Sequence, residues 1–175
     1  MMWQRSSKGS AAADVVIGVA VIVLVVLPVF SAVIERYIVL NKAQIIKDAV
    51  DMANISAYNA INAGNLGRNA VTFDSDKADE IYRFILAKNL HLDDTLSAKP
   101  NSIVEGTVNI ESLILYTGGF PLACPEGTYV EKPSVHSCIT VPVKPALYRR
   151  IILDLLGRQH IELKVHVDSE IPVNN

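Results

Sequence analysis

Apolar and polar positions divide the chain into three stretches of different rhythm. Residues 15–34 contain no charged side chain, and Val, Ile, Leu and Ala fill almost every position. At 1.5 Å per residue such a run makes about 30 Å of helix, the depth of a bilayer's hydrocarbon core. Past Ile34 the pattern becomes amphipathic. Ile34, Ile38, Ile45, Ala49, Met52, Ala53, Ser56 and Ala60 recur at helical spacing, while Lys42, Lys47, Asp48, Asp51 and Asn54 fall elsewhere. No Gly or Pro interrupts residues 29–63, and Gly64 and Gly67, set among asparagines, supply a stop. Residues 11–63 are therefore expected to form one helix of about 80 Å, bent where Pro28 removes a backbone hydrogen bond.

The third stretch mixes both periods. After a Gly/Asn-rich linker over 62–69 and a short strand-like piece at 70–73, Asp74 and Ser75 are caps for a helix over 76–90. Ala78, Ile81, Tyr82, Ile85 and Leu86 make its apolar face. Strands are expected at 102–108, 110–117, 128–132, 137–143 and 161–167, and a short helix over 146–156 ending at Gly157. Gly118-Gly119, Pro121 and Pro125-Glu126-Gly127 are turn material. The fold class is α+β: a long N-terminal transmembrane and stalk helix, then a small antiparallel sheet with one or two short helices. The corresponding divisions are a basic leader over 1–9, a transmembrane helix over 10–35, an amphipathic stalk over 36–63 and an extracytoplasmic α+β domain over 64–175.

Charge decides direction more than partner. With 16 basic and 18 acidic residues the net charge is −2, which gives nucleic acid no electrostatic footprint. Arg5 and Lys8 precede the apolar run, so the positive-inside rule places the N-terminus in the cytoplasm and the bulk of the chain outside. A cleavable secretory signal is the rival, with 29–31 as a poor peptidase site, but the run exceeds the usual length of a signal core.

Cys124 and Cys138 are too far apart for a redox C-x-x-C and too few for a zinc site by themselves. Outside the cytoplasm a disulfide closing a loop is the simplest expectation, two buried free thiols being the alternative. His160 and His166 share a strand face with Glu162 and Lys164 rather than forming a helical metal pair, so no metal or cofactor is expected. Asp74, Asp76, Asp79 and Glu80 lack the EF-hand spacing and its central Gly. Asn54-Ile55-Ser56 matches a glycosylation pattern but falls on the expected helix. With no phosphate loop and no nucleophile–base arrangement, the chain reads as non-enzymatic.

The segment before the apolar run is the most specific motif: Lys8-Gly9-Ser10-Ala11-Ala12-Ala13-Asp14. It resembles the processing site of type IV pilin-like proteins, in which a membrane peptidase cuts after a Gly and an acid stands fifth in the mature chain. The arrangement is most similar to the TadE-type pseudopilins of tight-adherence (Tad/Flp) pilus systems, although that family usually carries Glu where Asp14 stands. The resemblance extends to residues 27–35, the stalk at 44–60 and the stretch 140–157. It implies cleavage between Gly9 and Ser10, with a prepilin-type peptidase as partner. It also implies packing of the N-terminal helix on other pilins or pseudopilins, with Asp14 paired to a neighbour's new amino terminus. The function expected is that of a minor pseudopilin, held in the membrane before assembly and facing the cell surface. A single-pass, membrane-anchored extracytoplasmic binding module that never enters a filament is the alternative.

Overall fold

The computed structural model describes residues 8–61, 72 and 74–171. The linker and strand-like piece expected between Asn62 and Phe73 lie outside the described residues except for Thr72, as does the leader before Lys8.

The long helix is continuous through three geometries: α1 (Lys8–Val21), a π-helical turn (Ile22–Val26) and α2 (Leu27–Ala57), closed by a 3-10 turn at Tyr58–Ala60. The π turn stands where a bend at Pro28 was expected. Pro28 has no N–H to return to the preceding turn, and its ring crowds that turn's carbonyls. The backbone answers by widening, so that the Leu27 N–H reaches back to the Ile22 carbonyl, and Pro28 becomes one of the first residues of α2. The helix also ends sooner than the glycines suggested: Ile61 is already extended.

Then come α3 (Ser75–Leu90), β1 (Asn109–Tyr116), β2 (Leu122–Ala123), β3 (Tyr129–Val130), β4 (Ser134–Val143), α4 (Leu147–Leu155) and β5 (Ile161–Glu170). The α+β class is as expected. α3 starts where the Asp74 side chain accepts the Lys77 N–H at 3.1 Å. α4 stops at Gly157, whose φ of +70° suits a residue without Cβ; the Arg158 N–H then closes on the Leu153 carbonyl at 2.9 Å. The strand expected at 102–108 is absent. Gly106, at φ +126°, breaks the extended path, and the segment pairs with the sheet through an isolated bridge, Val104 to Val143.

Among the described residues, β1, β4 and β5 form an antiparallel sheet in the order β1-β4-β5, and β2 with β3 forms a small hairpin. Alternation gives the sheet two unlike faces. Ile139, Val141 and Val143 of β4 and Val165 and Val167 of β5 point one way, into a core with Ile46, Val50, Tyr82 and Leu86 of the helices. His136 and Cys138 of β4, with His166 and Asp168 of β5, point the other way, in register: His136 opposite Asp168, Cys138 opposite His166.

The buried face of the helix overlaps the one its spacing suggested, with Ala49, Ala53 and Ala60 buried as expected, but it is rotated from it. Ile46, Ala49, Val50, Ala53, Asn54 and Ala57 are buried, whereas Ile45 and Met52 are exposed. Asn54 enters the core because its amide donates to the Val167 carbonyl at 3.2 Å and the Ser169 hydroxyl at 3.0 Å, which offsets part of its desolvation. Fully enclosed, it is no glycan acceptor in this fold. Ser169 Oγ also donates to Asp51 at 2.6 Å, and the Tyr58 hydroxyl donates to the Ser169 carbonyl. At the other end Lys42 Nζ donates to the Lys144 carbonyl at 3.0 Å, and Glu35 accepts the Ala146 N–H at 3.2 Å. The helix from Glu35 to Tyr58 is thus the spine of the globular part.

Candidate functional site

Two regions carry the chain's chemistry. The first is the N-terminal half of the long helix. Among the described residues the chain has one helix long and apolar enough to cross a membrane, Ala11–Ala60, and none of its apolar window is buried. The first buried side chain along it is Glu35. Gly9 and Ser10 lie in the backbone of the first turn of α1, and Asp14 follows, exposed, on the same helix. Gly9, Ser10, Asp14 and Pro28 therefore sit on one helix, with Asp14 exposed and Pro28 half-buried. Beyond Ile34 an exposed apolar stripe continues: Tyr37, Ile45, Met52 and Ile55 lie on the side of α2 turned away from the sheet.

The second region is the polar face of the sheet. The β2–β3 hairpin folds over it and is held by Lys164 of β5, which pairs with Glu126 at 3.0 Å and with Glu111 at 3.1 Å. Glu111 stands at an irregularity in the β1–β4 register and also accepts the Thr140 hydroxyl. The Thr140 hydroxyl and the Lys164 ammonium hold the Glu111 carboxyl below its usual range, and those two carboxylates hold Lys164 protonated well above its own.

The cysteines are not joined. The expected Cys124–Cys138 bridge gives way to two buried thiols with separate partners. Cys138 Sγ is directed at Glu111 and Glu126, 3.7 Å from each. Burial pushes its thiol up to about 11 against the opposing pull of Lys164, and the two carboxylates add to the rise. Such a thiol stays protonated and is a poor nucleophile. Cys124 belongs to the hairpin turn. Its N–H donates to the Thr128 carbonyl at 2.8 Å, its sulfur accepts the Thr128 N–H at 3.3 Å, and His166 Nε2 lies 3.7 Å from that sulfur.

Around Cys124 the fold assembles a group that the sequence spacing concealed. His136, wholly buried, sets Nδ1 at 2.7 Å from Asp168 Oδ1 and Nε2 at 3.1 Å from Ser112 Oγ. His166 Nε2 lies 2.9 Å from Asp168 Oδ2. The ligand atoms of Cys124, His136, His166 and Asp168 all lie within 4.8 Å of one another. No family model, curated protein or solved structure matches this chain. The meaning of both regions therefore rests on their own geometry. His160, considered alongside His166 in the sequence, stands before β5 begins and is no part of the group. His136 and Asp168 had no motif to announce them. The available signal was parity: even-numbered residues of two adjacent strands share a face once those strands pair.

Proposed function

We propose that this protein is a membrane-anchored subunit of the pilin-like kind, a minor pseudopilin of a Tad/Flp-type assembly. The observation that carries the reading is the division of a single helix. Residues 11–34 are uncharged but for Asp14 and have no buried side chain, while Glu35 onward is the packed spine of the globular part. A helix with every apolar side chain exposed in water would be strongly unfavourable, at about 25 cal/mol per Å² of apolar surface. Lipid, or the helices of other subunits, removes that cost.

The exposed stripe of Ile45, Met52 and Ile55 supports the assembly half of the proposal, because it extends an apolar surface past the membrane-length segment. α4 supports a fixed depth. A groove of about 1410 Å³ runs between Pro28, Ala32 and Arg36 of the long helix and Leu153 and Gly157 at the end of α4, and Ile151, Leu155 and Leu156 there are exposed. In the proposed orientation Arg5 and Lys8 are cytoplasmic and the α+β part lies outside. After cleavage, Asp14 would meet the amino terminus of a neighbour's Ser10, an attraction strengthened by the low dielectric at the membrane edge.

The test is the N-terminus of the chain recovered from membranes of a host carrying a prepilin-type peptidase. Mass spectrometry should place it at Ser10, and Gly9→Val should leave the precursor intact. An uncut wild-type chain would overturn the pseudopilin reading and leave a plain anchored binding module. A start near Ala32 would indicate a secreted protein.

A further inference from the structure

We propose that Cys124, His136, His166 and Asp168 form a zinc site that clasps the β2–β3 hairpin to the sheet. One thiolate, two imidazoles and one carboxylate are a donor set suited to tetrahedral zinc. The spacing fits that ion. With Zn–S near 2.3 Å and Zn–N or Zn–O near 2.0–2.1 Å, the edges of a tetrahedron are about 3.5 Å from sulfur to nitrogen and about 3.3 Å from nitrogen to oxygen. The Cys124–His166 separation is 3.7 Å, the His166–Asp168 separation 2.9 Å and the His136–Asp168 separation 2.7 Å, so the Asp168 carboxylate must draw back from both imidazoles by about half an ångström for the four to share a centre.

Hydrogen bonding joins His136 to Asp168 and Cys124 to His166 but leaves one carboxylate oxygen over. The His136–Asp168 contact uses Oδ1. Asp168 Oδ2 is buried and, among the described residues, makes no hydrogen bond, although His166 Nε2 is only 2.9 Å away. The two groups are in ion-pair contact, and a cation seated between them would meet both at once. A buried carboxylate oxygen without a donor is unfavourable, and a cation removes the cost.

The supporting contacts are those of a built site. Ser112 Oγ holds His136 Nε2, which leaves Nδ1 turned to the centre and settles the ring's orientation. Thr128 N–H donates to Cys124 Sγ at 3.3 Å, which fixes where that sulfur sits over the sheet. Three of the ligands stand on paired strands, and the ion pair between Glu126 and Lys164 fixes the hairpin that brings the fourth. The site is independent of the pseudopilin reading and needs no membrane.

The experiment is titration of the full-length, detergent-solubilised and chemically reduced chain with cobalt(II), followed by zinc. One cobalt per chain is expected, with thiolate-to-cobalt charge transfer and the intense visible bands of tetrahedral geometry, both erased by zinc. Cys124→Ser should abolish the charge-transfer band, and His166→Asn should weaken cobalt binding by more than about 100-fold, beyond the usual cost of losing an outer-shell partner. Cys138→Ser should keep the full signal, because that sulfur faces Glu111 and Glu126. Circular dichroism of each variant establishes that it is folded. Absence of cobalt uptake by the folded wild-type chain would overturn the site and leave a hydrogen-bonded cluster only. Equal uptake by Cys124→Ser, or loss of the signal in Cys138→Ser, would also overturn it.

Discussion

The two halves of the long helix have similar helical backbones and opposite surroundings. From Ala11 to Ile34 its side chains touch little of the protein; from Glu35 to Ala60 it is the element on which the sheet and α3 are laid. The membrane-length half needs only apolarity, and any of its valines could be exchanged for leucine without disturbing a fitted neighbour. The spine half contains small residues, Ala49, Ala53 and Ala57, beside Ile46 and Val50, and one amide, Asn54, matched to particular acceptors. The first half is specified by its solvent and the second by its partners.

That contrast is broken or sharpened most strongly by truncating one large side chain in each half. Ile46→Ala should cost the globular part about 2–5 kcal/mol, because its site is wholly buried and closed by the core. Leu24→Ala, on the 73 % exposed side chain of the other half, should move it by less than about 0.5 kcal/mol. Urea unfolding of the full chain in detergent, followed by circular dichroism, measures both, and equal losses would erase the distinction.

A smaller effect tests whether the spine is specified by hydrogen bonding as well as volume. Asn54→Ala should cost about 1 kcal/mol, since two bonds to β5 are lost. Asn54→Asp should cost about 1–3 kcal/mol more in the same unfolding measurement, because a buried carboxylate would face acceptors without a donor of its own. If the two variants behave alike, the amide is only a filler.

The smallest effect lies away from the helix, in the loop after α3. Asp93 accepts the Thr95 hydroxyl at 2.7 Å and the Thr95 and Ser97 N–H groups at 2.9 Å each. The Thr95 hydroxyl bond, followed by the Ser97 amide, holds its carboxyl below the ordinary 3.8. A depressed native value means that the contribution is complete above the ordinary carboxylate range and is lost as pH falls through the native value. The thermal midpoint of the wild type should therefore drop more steeply on acidification below about pH 4 than that of Asp93→Asn, whose side chain still accepts but does not titrate. Parallel profiles would show that this loop does not contribute to acid sensitivity.

Local signals were legible wherever a single element carries its own reason. The Asp74 cap, the end of α4 at Gly157 and the alternation of β5 were all readable from neighbouring residues. Errors arose where a distant partner decided. Ile45 and Met52 fit the apolar period as well as Ile46 and Val50 do, and only the position of the sheet determined which set was buried. Asn54 looked like a solvated residue until β5 supplied its acceptors. Cys124 and Cys138 looked like a bridge because sequence offers sulfurs only each other, whereas the fold gives one of them imidazoles and the other carboxylates.

What the sequence by itself determined is the membrane-length helix and the α+β class, since apolar length, caps and period depend on residues a few positions apart. The hidden group of Cys124, His136, His166 and Asp168 was decided by tertiary structure alone. Its members come from a hairpin turn and two strands, and their convergence follows from strand register. The long helix belongs to both categories. Its length was written in the chain, but its division at Glu35, and the face it turns inward, came from what packs against it.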